Sequence, residues 1–304
     1  MEVSLHRLKL LRELRYRGTV TAVADALHYS ASAVSQQLSQ LEREAQTPLF
    51  QKHGRRIMLT EAGRVLADHS EQILDAVESA GNAIESLRDG SAASLTAGVW
   101  ASVASGLLPT GLALLAERSP GIAVQTTELE PEAGSDAVRD GSLDLSFVID
   151  YSNYAMPQIR TLQWRPIAVE QMSVAARAGT FGTEPIELAE LAGLPWILAD
   201  ARSHFGRAVR LACREAGFDP DVHHTAGEQS TALALAAAGL GVTLVSDLGA
   251  MTLPDGIEVT PLAGHFHRNL SIAYRARDAD RASVHAFIEA MIDGAAAVGL
   301  TVPG

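Results

Sequence analysis

The hydrophobic pattern of the chain changes once, near residue 90. This change predicts two parts with different secondary structure. Up to Arg88 apolar residues recur at three- and four-residue steps, which is typical of amphipathic helices. From Leu95 onward short apolar runs alternate with helical stretches, which predicts βαβ units with parallel strands. The segment Asp89–Ala92 is predicted to be a hinge between the parts. A length of 304 residues fits two domains.

Three helices are predicted in the first 45 residues. The first covers about Ser4–Tyr16 and the second, which is short, about Ala22–Leu27. The third begins after a cap at Ser30 and runs to about Ala45. Two helices joined by a short turn, the second polar on its outer face, form a helix-turn-helix pattern, although small bundles without DNA function share it. The outer face of the third helix carries Ser32, Ser35, Gln36, Ser39 and Arg43.

A basic hairpin is predicted directly after these helices. Two short strands lie between Gln51 and Thr60, around a turn that contains Gly54. Beside a helix-turn-helix, such a hairpin is a wing, whose cations contact phosphates or a minor groove while the third helix offers side chains to base edges. We therefore expect DNA contacts from the basic residues of the hairpin, Lys52, Arg55 and Arg56.

A long helix follows, from a cap at Thr60 to about Arg88. Its small and apolar residues step by four and then three, which is the spacing of a heptad seam. The alternative is a single amphipathic helix that packs on its own domain. The absence of a second apolar face favours a partner helix and hence a dimer. The seam residues are Leu66, Ser70, Ile73, Val77, Ala80, Ile84 and Leu87.

Charge is distributed unevenly along the chain. Residues 1–65 hold ten of the 24 basic and six of the 36 acidic residues, which leaves 14 basic and 30 acidic residues for the remainder. A basic head on an acidic body suits contact with a polyanion through the head. A hydrophobic content of 47% indicates a globular chain, and no apolar run reaches the roughly 20 residues that span a bilayer. One cysteine and no signal-peptide pattern predict a cytoplasmic protein.

The stretch from Ala22 to Gly63 resembles the winged head of the LysR-type transcriptional regulators. In chain order it shares Ala33-Val34-Ser35 and Leu41-Glu42 on the third helix, then Leu49-Phe50, Arg56 and the run Leu59–Gly63. The chain departs from the family pattern at three positions, where the family often has Gln, Arg and Gly. These positions are Ala31, Gln36 and Gln46.

The remainder resembles the effector-binding domain of the same family, which implies two α/β lobes joined by two crossing strands, as in periplasmic solute-binding proteins. We expect the crossings near residues 164–166 and 261–267. The predicted fold is thus α/β, with a winged helix-turn-helix, a long linker helix and a two-lobed effector domain. The predicted domains are residues 1–60 for DNA binding, 61–90 for the linker and dimerisation helix, and 91–304 for effector binding, with lobe I at 91–164 and 267–304 and lobe II at 165–266.

The ligand is expected between the lobes, at strand ends where helices begin. Ser102 and Ser203 each follow a predicted strand and open a predicted helix, although a serine there is most often only a cap. Hydroxyls and free backbone N–H groups at helix starts suit a carboxylate or another anion. The resemblance favours a ligand-facing Ser102, with Trp100, Thr127 and His204 as expected neighbours.

The leading hypothesis is a DNA-binding regulator that responds to a small anionic effector. We expect a homodimer that binds double-stranded DNA at an inverted repeat, and the resemblance implies a tetramer built as a dimer of dimers. Gln37 joins the third-helix residues among the expected base contacts. No cofactor, metal ion or membrane is expected, since the sequence lacks a P-loop, a nucleophile elbow and clustered metal ligands. The alternatives are an enzyme with an accessory winged head and a binding module that uses its helices only to dimerise.

Overall fold

The structure, a computed structural model, describes residues 4–53, 56–89 and 93–303. It divides into two compact units, Met1–Arg88 and Asp89–Gly304. The first unit contains helices, a two-stranded hairpin and a long final helix. Its elements are α1 (Leu5–Arg17), α2 (Val20–Ala26), α3 (Ala31–Ala45), β1 (Phe50–His53), β2 (Arg56–Leu59) and α4 (Glu61–Asp89).

The predicted helices of the first unit are present, and local capping fixes where they begin. The side chain of Thr19 accepts a hydrogen bond from the N–H of Ala22, so α2 begins before the predicted start. The Oγ of Ser30 accepts from the N–H of Ala33, as expected for the cap of α3. A shared apolar core joins the three helices. It is formed by Leu10, Leu14, Val23, Ala24, Val34 and Leu38.

The hairpin contacts α3 through hydrogen bonds to a side chain and contacts α4 through a close backbone approach. The Oε1 of Glu42 on α3 accepts hydrogen bonds from the N–H groups of Leu49 and Phe50, where β1 begins. Thr60 caps α4 by accepting from the N–H of Gly63 at 3.0 Å. A Cβ on Gly63 would lie 2.1 Å from the carbonyl oxygen of Leu49, so the first turn of α4 approaches the hairpin backbone too closely for a side chain.

The second unit alternates strands and helices. Its strands are β3 (Ala93–Val99), β4 (Ile122–Glu128), β5 (Leu145–Tyr151), β6 (Leu162–Arg177), β7 (Pro195–Leu198), β8 (Asp221–Thr225), β9 (Thr243–Ser246), β10 (Ile257–Pro261) and β11 (His267–Arg275). Its helices are α5 (Ala101–Gly106), α6 (Leu108–Arg118), α7 (Pro131–Asp140), α8 (His204–Glu215), α9 (Gln229–Ala237), α10 (Asp247–Ala250) and α11 (Ala282–Ala297), with short 3₁₀ turns at Leu188–Leu191 and Ala276–Asp278.

The main sheet of this unit is mixed, which corrects the expectation of parallel strands throughout. Its order is β10-β6-β11-β5-β3-β4, and β9 also pairs with β6. As expected, β3 lies parallel to β4 and β5, and β7 lies parallel to β8. However, β11 is antiparallel to β5 and β6, and β6 is antiparallel to β9 and β10. The antiparallel pairs arise where β6 and β11 connect the two halves of the unit.

The strand β6 is longer than predicted and changes partners further along the chain than expected. Residues 162–171 pair with β11, and residues 172–177 pair with β9 and β10. Pro166, which lacks an N–H donor, falls at a register irregularity opposite Ser271. The strand therefore continues through the proline, and its partners change from β11 to β9 and β10 after Gln171.

Three further elements differ from the prediction. The sequence pattern predicts one helix from Ser102 to Arg118, but the helix is interrupted at Leu107, and Pro109 lies in the first turn of the second piece, α6. A proline suits that position because the first N–H groups of a helix have no partner within it. The helix α10 and the strand β10 were not predicted at all.

A buried ion pair lies where β6 and β11 run side by side. The Nε of Arg268 donates to the Oε2 of Glu170 at 2.6 Å, and its Nη2 donates to Oε1 at 3.0 Å. The exposed fractions of the two residues are only 6% and 0%. Glu170 also accepts from the N–H of Leu248 in α10, while Arg268 donates to the Oγ of Ser102 in α5. The pair thus joins β6, β11, α5 and α10.

The close approach at Gly63 predicts a large difference between two alanine substitutions in α4. Gly63→Ala should lower the free energy of unfolding of the first unit, because the new Cβ would overlap the carbonyl oxygen of Leu49. Gly81→Ala is the matched control, since no atom lies within 4 Å of its added Cβ. It should raise helix stability by up to about 1 kcal/mol. Urea unfolding followed by circular dichroism measures both, and equal effects would contradict the packing.

The Arg268–Glu170 pair predicts a strong dependence of stability on both partners. Arg268→Met leaves the Glu170 carboxylate buried without a cation and should cost about 3–5 kcal/mol. The double variant Arg268→Met/Glu170→Met should recover much of this loss. Arg165→Met is the control, because Arg165 pairs with Glu289 on the surface, where the loss should stay below about 1 kcal/mol. Urea midpoints that are equal for Arg268→Met and Arg165→Met would contradict this account.

Candidate functional site

The exposed face of α3 is polar, as the sequence predicted. Val34, Leu38 and Leu41 are buried on the opposite face of the helix. The exposed residues are small hydroxyl side chains, one amide and one guanidinium, which are groups that can contact base edges and phosphates in a major groove. They are Ser32, Ser35, Gln36, Ser39 and Arg43.

Gln37 differs from the other predicted base contacts on α3. It is half-buried, and its Oε1 accepts a hydrogen bond from the Nε of Arg7 on α1 at 2.9 Å. Arg7 also forms an ion pair with Glu44 further along α3. Gln37 therefore helps to attach α3 to α1, and its Oε1 is already engaged within the protein.

The predicted wing is present as the hairpin β1–β2. Lys52 lies on β1 opposite Ile57, and Arg56 lies on β2 opposite His53. Arg55, the third basic residue predicted for the wing, lies outside the described residues. The hairpin follows α3 directly in the sequence. Both elements belong to the same compact unit.

The helix α4 divides into two parts with different surroundings. Leu66 is half-buried and packs with Leu8, Leu11 and Leu41 in the core of the first unit. Its membership of a dimer seam is therefore disfavoured, since it already contributes to a core within the chain. Further along α4, Ile73, Val77 and Ile84 are exposed by 42%, 49% and 61%. Ala80 is also exposed, and Leu87 lies on the same helix.

A cavity of about 560 Å³ opens in the second unit. It lies where the helices α5, α7, α8 and α9 begin. Four of the five predicted effector residues line it, namely Trp100, Ser102, Ser203 and His204. The fifth, Thr127, does not line it. It lies exposed on β4, the edge strand of the sheet, because side chains alternate along a strand and its neighbour Glu128 takes the cavity side.

Ser102 lines the cavity but has a different role from the predicted one. Trp100, not Ser102, occupies the N-cap position of α5. The Oγ of Ser102 accepts hydrogen bonds from the Nη2 of Arg268 at 2.9 Å and from the Nε1 of Trp100 at 3.0 Å. Both lone pairs of the hydroxyl oxygen are therefore in use, and the side chain serves to orient an arginine and an indole.

The start of α8 is arranged as predicted, but the N–H groups of His204 and Gly206 already have partners. The Oγ of Ser203 accepts from the N–H of Gly206 at 3.0 Å. The N–H of His204 donates to the Oε1 of Glu132 on α7 at 3.1 Å. A carboxylate of the protein itself thus occupies the anion position at this helix N-terminus.

The cavity lining contains a set of acidic residues that the sequence analysis missed. Glu130 and Glu228 hold the N-cap positions of α7 and α9 without forming a capping hydrogen bond. The acids of the lining are Glu128, Glu130, Glu132, Asp200 and Glu228. Three of them, Glu128, Glu130 and Glu132, stand at alternate positions from the end of β4 onward, and this spacing was the signal available in the sequence.

The basic residue of the lining, Arg268, is already neutralised. Glu170 accepts two of its hydrogen bonds, and the guanidinium carbon lies 6.0 Å from the ring centroid of Trp100. The hydroxyl of Tyr151 is hydrogen-bonded to the same guanidinium. Burial raises the pKa of Tyr151 to about 12, so the phenol is neutral at physiological pH.

His204 lines the cavity and has a buried ring nitrogen without a hydrogen-bond partner. Its ring packs at 5.4 Å from the ring of Tyr151 and 5.0 Å from that of Tyr154. Burial lowers the pKa of His204, and the ring forms a backbone hydrogen bond with Ile149. Its Nε2 is buried and has no hydrogen-bond partner in the structure. In a neutral imidazole that donates through Nδ1, Nε2 is an acceptor.

The described ranges contain neither a metal site nor a membrane-spanning helix. In residues 4–53, 56–89 and 93–303, no three His, Cys, Asp or Glu side chains are grouped so that they could hold a metal ion. Within the same ranges, every helix is too short or too polar to span a bilayer.

Family models match both units of the chain. A model described as "Bacterial regulatory helix-turn-helix protein, lysR family" matches residues 5–64, and one described as "LysR substrate binding domain" matches residues 88–296. A "Probable hydrogen peroxide-inducible genes activator" of Mycobacterium avium is 31% identical over 230 residues, which cover 74% of this chain and 72% of that protein. A "Probable RuBisCO transcriptional regulator" of Trichormus variabilis is 32% identical, but the match covers only 48% of this chain and 43% of that protein.

Solved structures show the same fold at low identity. Full-length CbnR in complex with its target DNA has a TM-score of 0.60 at 21% identity, with 96% of this chain and 100% of that chain covered. Full-length BenM has a TM-score of 0.59 at 21% identity, with 99% of each chain covered. Because the two family models together match both compact units, the chain belongs to the LysR family of bacterial regulatory helix-turn-helix proteins.

Proposed function

We propose that this protein is a cytoplasmic transcription regulator that binds double-stranded DNA through its first unit. The observation that carries the proposal is the exposed polar face of α3, which precedes a hairpin with basic residues. Ser32, Ser35, Gln36 and Ser39 would read base edges, and Arg43 would contact the backbone. Lys52, Arg55 and Arg56 would neutralise phosphates or enter a minor groove.

The dimer would form through the exposed part of α4. Ile73, Val77, Ala80 and Ile84 step by four, three and four residues, and their exposure in the single chain supports burial against a second copy of the helix. Leu87 would continue this seam. A two-fold dimer requires an inverted repeat in the DNA, with half-sites about one helical turn or a multiple apart. Association into a tetramer would then involve the second unit.

The cavity of the second unit would hold the small molecule that regulates DNA binding. Its size and its mixture of apolar and polar residues are typical of ligand sites. Trp100, Ser203 and His204 would contact the ligand, and Ser102 would act by orienting Arg268. Peroxide, which the name of the Mycobacterium avium relative mentions, is a poor candidate signal. The only cysteine, Cys213, is buried, and desolvation raises its pKa to about 12, which leaves an unreactive thiol.

The DNA-binding proposal is tested with the DNA that lies upstream of the gene for this protein. Arg56→Ala should weaken binding to all sequences and reduce the salt dependence of the affinity by about one phosphate contact. Arg214→Ala in the second unit removes the same charge from an exposed surface pair and should change neither. Gln36→Ala should instead reduce discrimination between this DNA and unrelated DNA by about 1–3 kcal/mol. Failure of the parent protein to bind its own upstream DNA at low salt would refute the proposal.

The dimer seam is tested by placing like charges in it. The double variant Ile73→Asp/Val77→Asp should dissociate into monomers and lose DNA binding, because four carboxylates would face each other across the two-fold axis. Val65→Asp is the control, since Val65 is 53% exposed on the same helix but lies at an outer heptad position. Sedimentation velocity distinguishes the two variants, and a double variant that remains dimeric would place the interface elsewhere.

A further inference from the structure

We propose that the first unit selects A·T base pairs where the start of α3 meets the DNA, with Gln36 reading an adenine and Tyr29 contacting a thymine methyl group. This preference rests on the proposed function, in which α3 enters the major groove, and adds the kind of base pair that the protein favours. Three features carry it. The residues at the start of α3 are uncharged, an amide on its outer face is exposed and unpaired within the described residues, and an aromatic ring is exposed beside the helix start.

The exposed polar residues near the start of α3 form one face of the helix. Residues three and four positions apart are neighbours on a helix surface, and the exposed residues follow this spacing. They are Ser32, Ser35, Gln36 and Ser39. In a helix-turn-helix, the residues near the start of the second helix contact the base edges. Gln36 lies in the second turn of α3, which begins at Ala31, and therefore belongs to the part of the helix that reaches the bases.

The start of α3 carries no cation that could read a guanine. The commonest specific contact to guanine is a bidentate one, from Arg or Lys to its O6 and N7 atoms. The first basic residue of α3 is Arg43, which lies seven residues beyond Gln36 and so about 10 Å further along the helix axis. Its Nη2 donates to the Oε1 of Gln40, which holds the guanidinium at the last turn. The hydroxyls of Ser32 and Ser35 can donate or accept and therefore discriminate little between bases.

The amide of Gln36 is available for a base. Gln36 is exposed, and its side chain forms no hydrogen bond within residues 4–53, 56–89 and 93–303. The other two glutamines of α3, Gln37 and Gln40, are engaged with side chains of the protein itself. An amide carries a donor and an acceptor side by side, which matches the N7 acceptor and the N6–H donor of adenine. Guanine presents two acceptors at the same place, so the amide oxygen would face one of them without a proton between the two.

Tyr29 presents an aromatic surface beside the start of α3. It directly precedes Ser30, the N-cap of the helix, and its N–H donates to the carbonyl oxygen of Ala24 at 2.9 Å, which fixes the backbone. The residue is 49% exposed, and its ring meets that of His6 edge-on, with the centroids 5.5 Å apart. The exposed methyl group of Ala31, the first residue of α3, adds to this surface. Because thymine carries a methyl group at its major-groove edge, apolar side chains at this place favour it.

The test begins by selecting DNA with the full-length protein. A library of duplexes of random sequence, long enough to hold two half-sites, is incubated with the protein, and the bound fraction is sequenced after several rounds. The enriched half-sites should be rich in A·T pairs. Each of these pairs is then replaced in turn by G·C. At the pair that Gln36 reads, this replacement should weaken binding by the parent protein about tenfold, whereas Gln36→Ala should bind both duplexes about equally.

Atomic substitutions in the DNA identify the two contacts. Replacement of the adenine by 7-deazaadenine removes the N7 acceptor and should weaken binding by the parent protein about fivefold, but not binding by Gln36→Ala, which lacks the contact. Replacement of a thymine by uracil removes its methyl group and should weaken binding by the parent protein, but not binding by Tyr29→Ala. Because both residues are exposed, the variants should keep the melting temperature of the parent protein.

A change of side chain tests whether Gln36 determines the preference. Gln36→Arg should shift the preferred pair from A·T to G·C, because a guanidinium can donate to both O6 and N7 of guanine. Gln46→Arg is the matched control, since it adds the same charge at the other end of α3, where Gln46 is exposed. It should leave the base preference unchanged. A Gln36→Arg variant that still prefers adenine, or a control that shifts the preference equally, would overturn the inference.

The remaining outcomes separate the base preference from the proposed function. If the enriched half-sites carry guanine at the pair where Gln36→Ala alters the preference, the protein still binds DNA specifically but the inferred readout is wrong. The same conclusion follows if A·T pairs are enriched but 7-deazaadenine has no effect, since the preference would then come from the shape of the DNA. If no sequence is enriched and the parent protein does not bind its own upstream DNA at low salt, the proposed function is refuted and the base preference with it.

Discussion

The second unit depends on one interaction, the ion pair between Arg268 and Glu170 on neighbouring strands. Two isolated charges at this depth would cost several kcal/mol each, and they persist because each is paired and its remaining hydrogen-bonding capacity is used. Arg268 reaches Ser102 in α5, and Glu170 accepts from Leu248 in α10, so the pair fixes two helices that pack against each other. It also removes the one cation that the cavity lining contains.

Most of the first unit could be predicted from the sequence, because local signals determine it. Thr19, Ser30 and Thr60 cap the helices that follow them, and the apolar stripe of α3 shows which face is buried. Gln37 lies at the border of this division, where its side chain is half-buried. Its position on the helix borders the exposed face, and only the tertiary contact with Arg7 reveals that its amide is engaged within the protein.

The cavity was predicted less well, because its chemistry comes from residues that are distant in the sequence. The rule that ligands bind at strand ends and helix starts located Trp100, Ser102, Ser203 and His204 correctly. It could not show that the Oγ of Ser102 accepts a hydrogen bond from Arg268, which lies 166 positions further along the chain. Nor could it bring Glu130 and Glu228 to one cavity, since no local pattern relates the start of α7 to the start of α9.

The placement of these glutamates bears on how a ligand could change the protein. The helix α7 packs on β5 and β11, whereas α9 packs on β6, β9 and β10, so Glu130 and Glu228 approach the cavity from different parts of the unit. The hydrogen bond from His204 to Glu132 is the attractive contact between α8 and α7 there, and the repulsion among the carboxylates opposes it. A ligand shifts such a balance only by its difference in affinity for the closer and the wider arrangement.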